Sequence, residues 1–131
     1  MVPKVVADVL KRNESVVTQN YNSVTILFCD IQGFTKVYAY SYPEKVIQML
    51  NSIYSRFDNI VAKYNTYRVD SIGDIFIIVS GAPEPNGNHA ADICNLALDL
   101  VTANNELELV YLPGNQLKVR TGIHTGTPIG I

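Results

Sequence analysis

The sequence predicts an α+β sandwich of ferredoxin-like order, β-α-β-β-α-β, with one further helix in front. Three observations predict it. Two apolar runs rich in β-formers, "VTILFC" and "IFIIVS", are too short for helices. Two longer stretches, opening at Pro43 and His89, repeat apolar residues every three or four positions. A Gly73-Asp74 pair separates "YRVDSI" from "IFIIVS", as a hairpin turn would.

The elements follow in order. Residues 3–12 read as a short helix with a proline near its start. Residues 24–29 form a buried strand, and residues 30–35, "DIQGFT", the turn that leaves it. A long helical region opened by Pro43 places Val46, Leu50, Ile53, Phe57, Ile60 and Tyr64 on one apolar face. Lys45, Gln48, Asn51, Arg56 and Asn59 lie off that face. The hairpin comes next, then a loop, "GAPEPNGN", dense in helix and strand breakers. Residues 89–102 are helical, with Ala90, Ile93, Ala97, Leu100 and Val101 facing inward. "LPGN" turns the chain into a last strand, "QLKVRTGIHT", with Leu117, Val119, Thr121 and Ile123 on one face.

Composition narrows the function. The chain has 131 residues, 47% of them apolar, enough for one folded domain. A net charge of -2 argues against a nucleic-acid-binding surface. Basic residues form no run dense enough for a membrane surface, and no apolar segment nears the roughly 20 residues of a membrane span. Residues 1–14 have no signal-peptide core. Cys29 and Cys94 sit in apolar stretches and read as reduced core thiols. Two cysteines and the distant His89 and His124 do not make a zinc site.

The chemistry gathers at two aspartates. Asp30 ends the first strand and Asp74 lies in the hairpin turn, so this topology brings both to one sheet edge. Close carboxylates repel, and a cation between them relieves the repulsion. Hard divalent ions take oxygen ligands and combine one or two carboxylates with phosphates. Beside Asp30, the glycine turn opening a helix offers backbone N–H groups to a phosphate chain. Metal and phosphate together imply nucleotide triphosphate chemistry. Each part alone has an ordinary reading: a turn or helix cap for Asp30, a simple hairpin for Gly73-Asp74. A strand ending in aspartate also fits the phospho-acceptor of a receiver domain.

These residues resemble the catalytic domain of class III nucleotidyl cyclases, especially receptor-type guanylate cyclases. The matching stretches are "SVTILFCDIQGFT", "YRVDSIGDIFIIVSGAPEPNGNHA" and "LKVRTGIHTG", with the lead-in "VPKVVADVLKRNESV". The resemblance implies the palm-like fold of that family and conversion of GTP to 3′,5′-cyclic GMP and pyrophosphate. It implies two Mg²⁺ or Mn²⁺ ions held by Asp30, Asp74 and the backbone carbonyl of Ile31. Ile31, Gln32, Gly33, Phe34 and Thr35 match the turn that holds the triphosphate. Asp70 falls where guanylate cyclases carry a glutamate that reads guanine. Guanine offers N1–H and N2–H, which a carboxylate accepts; Asp70 is one methylene shorter. Cys29 stands where a serine is more usual.

After "GIHTG" this chain reads "TPIGI" and stops, whereas the family continues for several dozen residues. The resemblance places the transition-state asparagine and arginine in that continuation, so no catalytic residue of that kind is expected here. One partial catalytic domain over residues 1–131 is expected: lead-in over 1–22, cyclase core over 23–131. Family domains pair head to tail, which implies a homodimer or a heterodimer with another cyclase domain, and little activity for this chain alone. An exposed apolar patch or open sheet edge is expected with it. The implied location is cytoplasmic, either soluble or as the inner domain of a membrane receptor. Alternatives are a non-catalytic cyclase-like module that regulates a complete partner, and a diguanylate cyclase, whose Gly-Gly-acidic hairpin is absent.

Overall fold

A computed structural model describes residues 8, 11–12, 21–106 and 118–128. Of the helix expected over 3–12, Asp8 and Lys11 are helical and Arg12 is in a turn; the rest lies outside the described residues, as does the "LPGN" turn. Four strands form one sheet in the order β2-β3-β1-β4. They are β1 (Val24–Gln32), β2 (Tyr67–Ile72), β3 (Ile75–Ser80) and β4 (Lys118–Gly126). Helices α1 (Phe34–Tyr40) and α2 (Pro43–Val61) connect β1 to β2, and α3 (His89–Glu106) precedes β4. Both neighbours of β1 run antiparallel to it, as the ferredoxin-like order requires.

The alternation of β1 divides the molecule. Leu27, Cys29 and Ile31 point to the helices and join Ile53, Phe57, Phe76, Ile78, Ile93, Leu96 and Leu100 in one core. Burying a side chain such as Phe57 contributes roughly 2–3 kcal/mol. A smaller cluster of Val24, Val79 and Ala82, flanked by Tyr21, Ile26 and Tyr67, covers one end of the opposite face. The buried polar residues Thr25 and Ser80 are paired: Thr25 Oγ1 lies 2.7 Å from His89 Nδ1 and 2.8 Å from Thr125 Oγ1. Ser80 Oγ donates to the Asn65 carbonyl at 2.7 Å and accepts from Asn86 at 3.0 Å. Tyr64 donates to Asp99, tying the segment after α2 to α3.

Several sequence expectations change. The first strand runs on through Asp30 and Ile31 to Gln32, so the six-residue turn shrinks to Gly33. Gly33 adopts φ +80, the left-handed region where a side chain is strained, and Phe34 and Thr35 are already helical. The long helical region is broken at Ser41-Tyr42, because Pro43 starts a new helix with no N–H to continue the first. On α2 the buried set is Val46, Met49, Ile53, Phe57, Ile60 and Val61. Leu50 and Tyr64 pack only at its margin. On α3, Leu96 and Ala103 are buried while Ala90 and Val101 are exposed. Cys29 is buried as expected; Cys94 is exposed, on the outer side of α3.

The hairpin contains an irregularity that the sequence pattern does not announce. Arg68 opposes Ile78, yet Asp70 opposes Ile77, so Val69 is an extra residue, a β-bulge. Arg68 faces the helices, with its guanidinium 5.3 Å from the Phe76 ring centre and Nε 3.4 Å from Asp58. In a regular strand Asp70 would share that face. The bulge reverses the alternation and sets Asp70 on the opposite face with Ile77 and Phe28, its neighbours across the sheet.

Two glycines separate backbone strain from crowding. A Cβ on Gly33 would meet nothing, whereas one on Gly81, at φ +93, would stand 3.0 Å from the Ser23 carbonyl. Gly33→Ala is expected to destabilise by about 1 kcal/mol from the left-handed conformation alone. Gly81→Ala should lose clearly more, as read by urea denaturation of both variants.

Candidate functional site

The face of the sheet turned away from the helices carries the site. On β1 it presents Phe28 and Asp30, and on β4 the residues opposite them, Gly122 and Arg120. Arg120 donates to both oxygens of Asp30, Nε to Oδ1 at 2.8 Å and Nη2 to Oδ2 at 2.6 Å. This fork geometry is the strong form of an arginine–carboxylate pair. It holds the Asp30 carboxyl below the usual carboxylate range, and Asp30 in turn raises the Arg120 pKa.

Asp74 arrives from the other side. Continuing the β1–β3 register two residues beyond Cys29–Phe76 sets it opposite Ile31. The ladder has ended there, and Asp74 Oδ2 accepts the Ile31 N–H at 3.3 Å. The hairpin turn and the end of the central strand thus bring two carboxylates to one corner. Their field is felt by Cys29, whose thiol is pushed up to about 12, by burial first and then by Asp30 and Asp74. Burial, and next the charge of Asp74, raises the Tyr54 phenol as well. The Tyr54 hydroxyl is buried and finds no hydrogen-bond partner among the described residues.

An open hollow of about 350 Å³ lies beside the pair, lined by Phe28, Cys29, Asp30, Ile75, Arg120, Thr121 and Gly122. The α1 N-terminus adjoins this corner, with no side chain capping its first N–H groups. Asp70 stands two strands from Phe28 on the same face, roughly 10 Å away at ordinary strand spacing. Its Oδ1 accepts the N–H of Ser71 at 2.7 Å.

The expected residues therefore fall into two groups. Asp30, Ile31, Gln32, Gly33, Phe34, Thr35 and Asp74 share one corner; Asp70 occupies the same face at a distance. Among the described residues no group of three or more His, Cys, Asp or Glu could enclose a metal ion. The corner offers two carboxylates and main-chain carbonyls, a set of hard oxygen donors, and Arg120 already places a positive charge against one of them. That set fits a hard divalent ion that completes its shell with phosphate and water. Arg120 escaped the sequence reading. The signal was present: two converging carboxylates need compensation, and β4 pairs with β1 in this topology.

Residues 16–130 match the family model "Adenylate and Guanylate cyclase catalytic domain", and the chain belongs to that family. Its relatives include the receptor-type guanylate cyclase gcy-23 of Caenorhabditis elegans, 45% identical over 97% of this chain. Human guanylyl cyclase C is 42% identical over 96%. The chain spans 12% of the length of either.

Solved structures agree. The guanylate cyclase domain of RhGC from Catenaria anguillulae, in complex with GTP, superposes with a TM-score of 0.79 at 30% identity. The match covers 84% of this chain and 59% of that one. The dimeric guanylyl cyclase domain of RhoGC from Blastocladiella emersonii gives 0.78 at 29%, over 83% of this chain and 59% of that one. The adenylyl cyclase CyaB of P. aeruginosa, at 24% identity, shares the fold with a TM-score of 0.78. Among the described residues no helix is long and apolar enough to cross a membrane.

The Asp30–Arg120 pair has a pH signature. A carboxyl depressed in the folded state adds stability that is complete above the unfolded value of ~3.9 and is lost as pH falls through the folded one. The Asp30 carboxyl carbon, followed by NMR, should titrate below ~3.9 in the native chain and rise toward it in Arg120→Gln. An unchanged midpoint in the variant would remove Arg120 as the cause.

Proposed function

We propose that this domain forms 3′,5′-cyclic GMP and pyrophosphate from GTP, and that the chain supplies the metal- and phosphate-holding half of the site. The observation that carries this is the meeting of Asp30 and Asp74 at the corner where β1 ends and α1 begins. Support comes from the receptor-type guanylate cyclase relatives and from the GTP-bound Catenaria anguillulae domain of the same fold.

Cyclases of this family use divalent metal ions. Asp30, Asp74 and the carbonyl of Ile31 would hold two Mg²⁺ or Mn²⁺ here. When bound, such ions supply positive charge to the attacking and leaving oxygens. The chain's own groups do the positioning. Backbone N–H groups from Ile31 to Thr35 take the triphosphate, and Gly33 lets the chain turn tightly enough to present them. Arg120 lines the hollow beside Asp30 and adds a cation there. Asp70 accepts the N1–H and N2–H of guanine from across the sheet, on the face to which the Val69 bulge turns it. The ribose 3′-hydroxyl attacks the α-phosphorus, its proton passes to water, and the bond from the α-phosphorus to the bridging oxygen breaks, releasing pyrophosphate.

The second half of the site comes from a partner cyclase domain that carries it. The site-bearing face is open to receive one: Phe28 is 53% exposed, Ile72 63% and Ile75 41%. The proposed location is cytoplasmic, as in a receptor's inner domain.

Calorimetry with Mn²⁺ and GTP tests the reading. GTP binding should require Mn²⁺ and weaken at least about ten-fold in Asp74→Asn. Asp70→Ala should lose about ten-fold of the preference for GTP over ATP and leave ATP binding unchanged. Cyclic GMP should form only when a cyclase domain carrying the complementary half is added. Metal-independent GTP binding, or full activity of the chain alone, would contradict the assignment.

A further inference from the structure

The fork between Arg120 and Asp30 has a consequence for the order in which ligands enter. Both oxygens of Asp30 are engaged, at 2.8 and 2.6 Å. A divalent cation bound to the same carboxylate would stand a few ångströms from the guanidinium, where like charges repel strongly. One of the two has to leave.

Arg120 is built to be the one that moves. Its side chain is 64% exposed, against 32% for Asp30, and it rises from β4, an outer strand of the sheet. Two positions along on the same face stands Gly122, which has no side chain to confine it, and both line the open hollow. Asp30, by contrast, is held in an inner strand, within the β4 ladder and next to the last β3 pair, Cys29–Phe76. Exposed ion pairs are typically worth about five-fold or less in an equilibrium and the fork geometry sets this one at the upper end, enough to hold Asp30 and little enough to be outbid by a triphosphate.

We propose that Arg120 is a removable counter-ion that masks Asp30 in the nucleotide-free domain, so that metal binds this carboxylate well only after nucleotide phosphates have drawn the guanidinium away. Metal and nucleotide then bind cooperatively, each removing an obstacle to the other. This inference rests on the metal and phosphate reading above.

The test is calorimetric, with Mn²⁺ alone and with Mn²⁺ plus GTP, on the native chain and on Arg120→Gln, Lys118→Gln and Asp30→Asn. Arg120→Gln should bind Mn²⁺ alone up to about five-fold tighter and Mn²⁺-GTP more weakly, an inversion of sign. Lys118 stands two residues away on the same strand and face, exposed. Lys118→Gln should leave the affinity for Mn²⁺ alone within about two-fold, because it removes a charge without opening the fork. Equal tightening in both lysine and arginine variants, or none in Arg120→Gln while Asp30→Asn abolishes binding, would overturn the masking role and leave the metal site standing. No effect of Asp30→Asn on Mn²⁺ binding would overturn the metal reading, and the masking role with it. In the native chain the Arg120 Nε–H resonance should be protected from exchange without ligand, unprotected in Asp30→Asn, and shifted by Mg²⁺-GTP more than by Mg²⁺ alone.

Discussion

The two-residue period of β1 constrains everything else in this domain. One strand must fill the core with Leu27, Cys29 and Ile31 and must also carry Phe28 and Asp30 on its other face. A slip of one residue would bury Asp30 and expose Leu27, so register and site are fixed by the same apolar burial. The partner strands obey the same rule. β4 delivers Arg120 opposite Asp30 because Val119 packs on the core beside it. β3 holds Phe76 and Ile78 inside, which leaves the residue before it, Asp74, at the end of the ladder.

The charge at that corner is compensated by geometry, with little burial. Asp30 has a guanidinium, Asp74 has the Ile31 N–H, and both remain within reach of solvent and ligand. A fully buried pair would have been costly to open. An exposed fork is cheap to break, which suits a carboxylate that must change partners. Cys29, directly beneath, carries the opposite requirement: burial first, then two neighbouring negative charges, push its thiol up to about 12 and favour the neutral form that packs in the core.

Much of the fold was legible because apolar period and breakers agree in each segment. "VTILFC", "IFIIVS" and the Gly73-Asp74 turn fell where the strands and hairpin lie, and the strand order followed from the element order. Asp30 and Asp74 could be paired on paper for that reason. What escaped depends on contacts distant in sequence or on single backbone conformations. The turn at residues 30–35 shortened to Gly33 because pairing with β4 extends β1 to Gln32. The bulge at Val69 is invisible in "YRVDSI", since only the demands of Phe76 and Asp58 on Arg68 reveal it. Arg120 lies ninety residues from Asp30, and nothing local marks it. Cys94 sat in an apolar stretch, but its side of α3 faces outward.

A metal–nucleotide site at the corner of β1, the hairpin and β4 would be seen in paramagnetic broadening by Mn²⁺. With GTP present, amide signals of Ile31, Gly33, Asp74 and Arg120 of a ¹⁵N-labelled chain should broaden first. Those of Thr25, about five residues or ~17 Å away along β1, and of His89, which contacts it from α3, should broaden far less. Broadening that spares the corner, or that reaches both ends of β1 alike, would contradict that site.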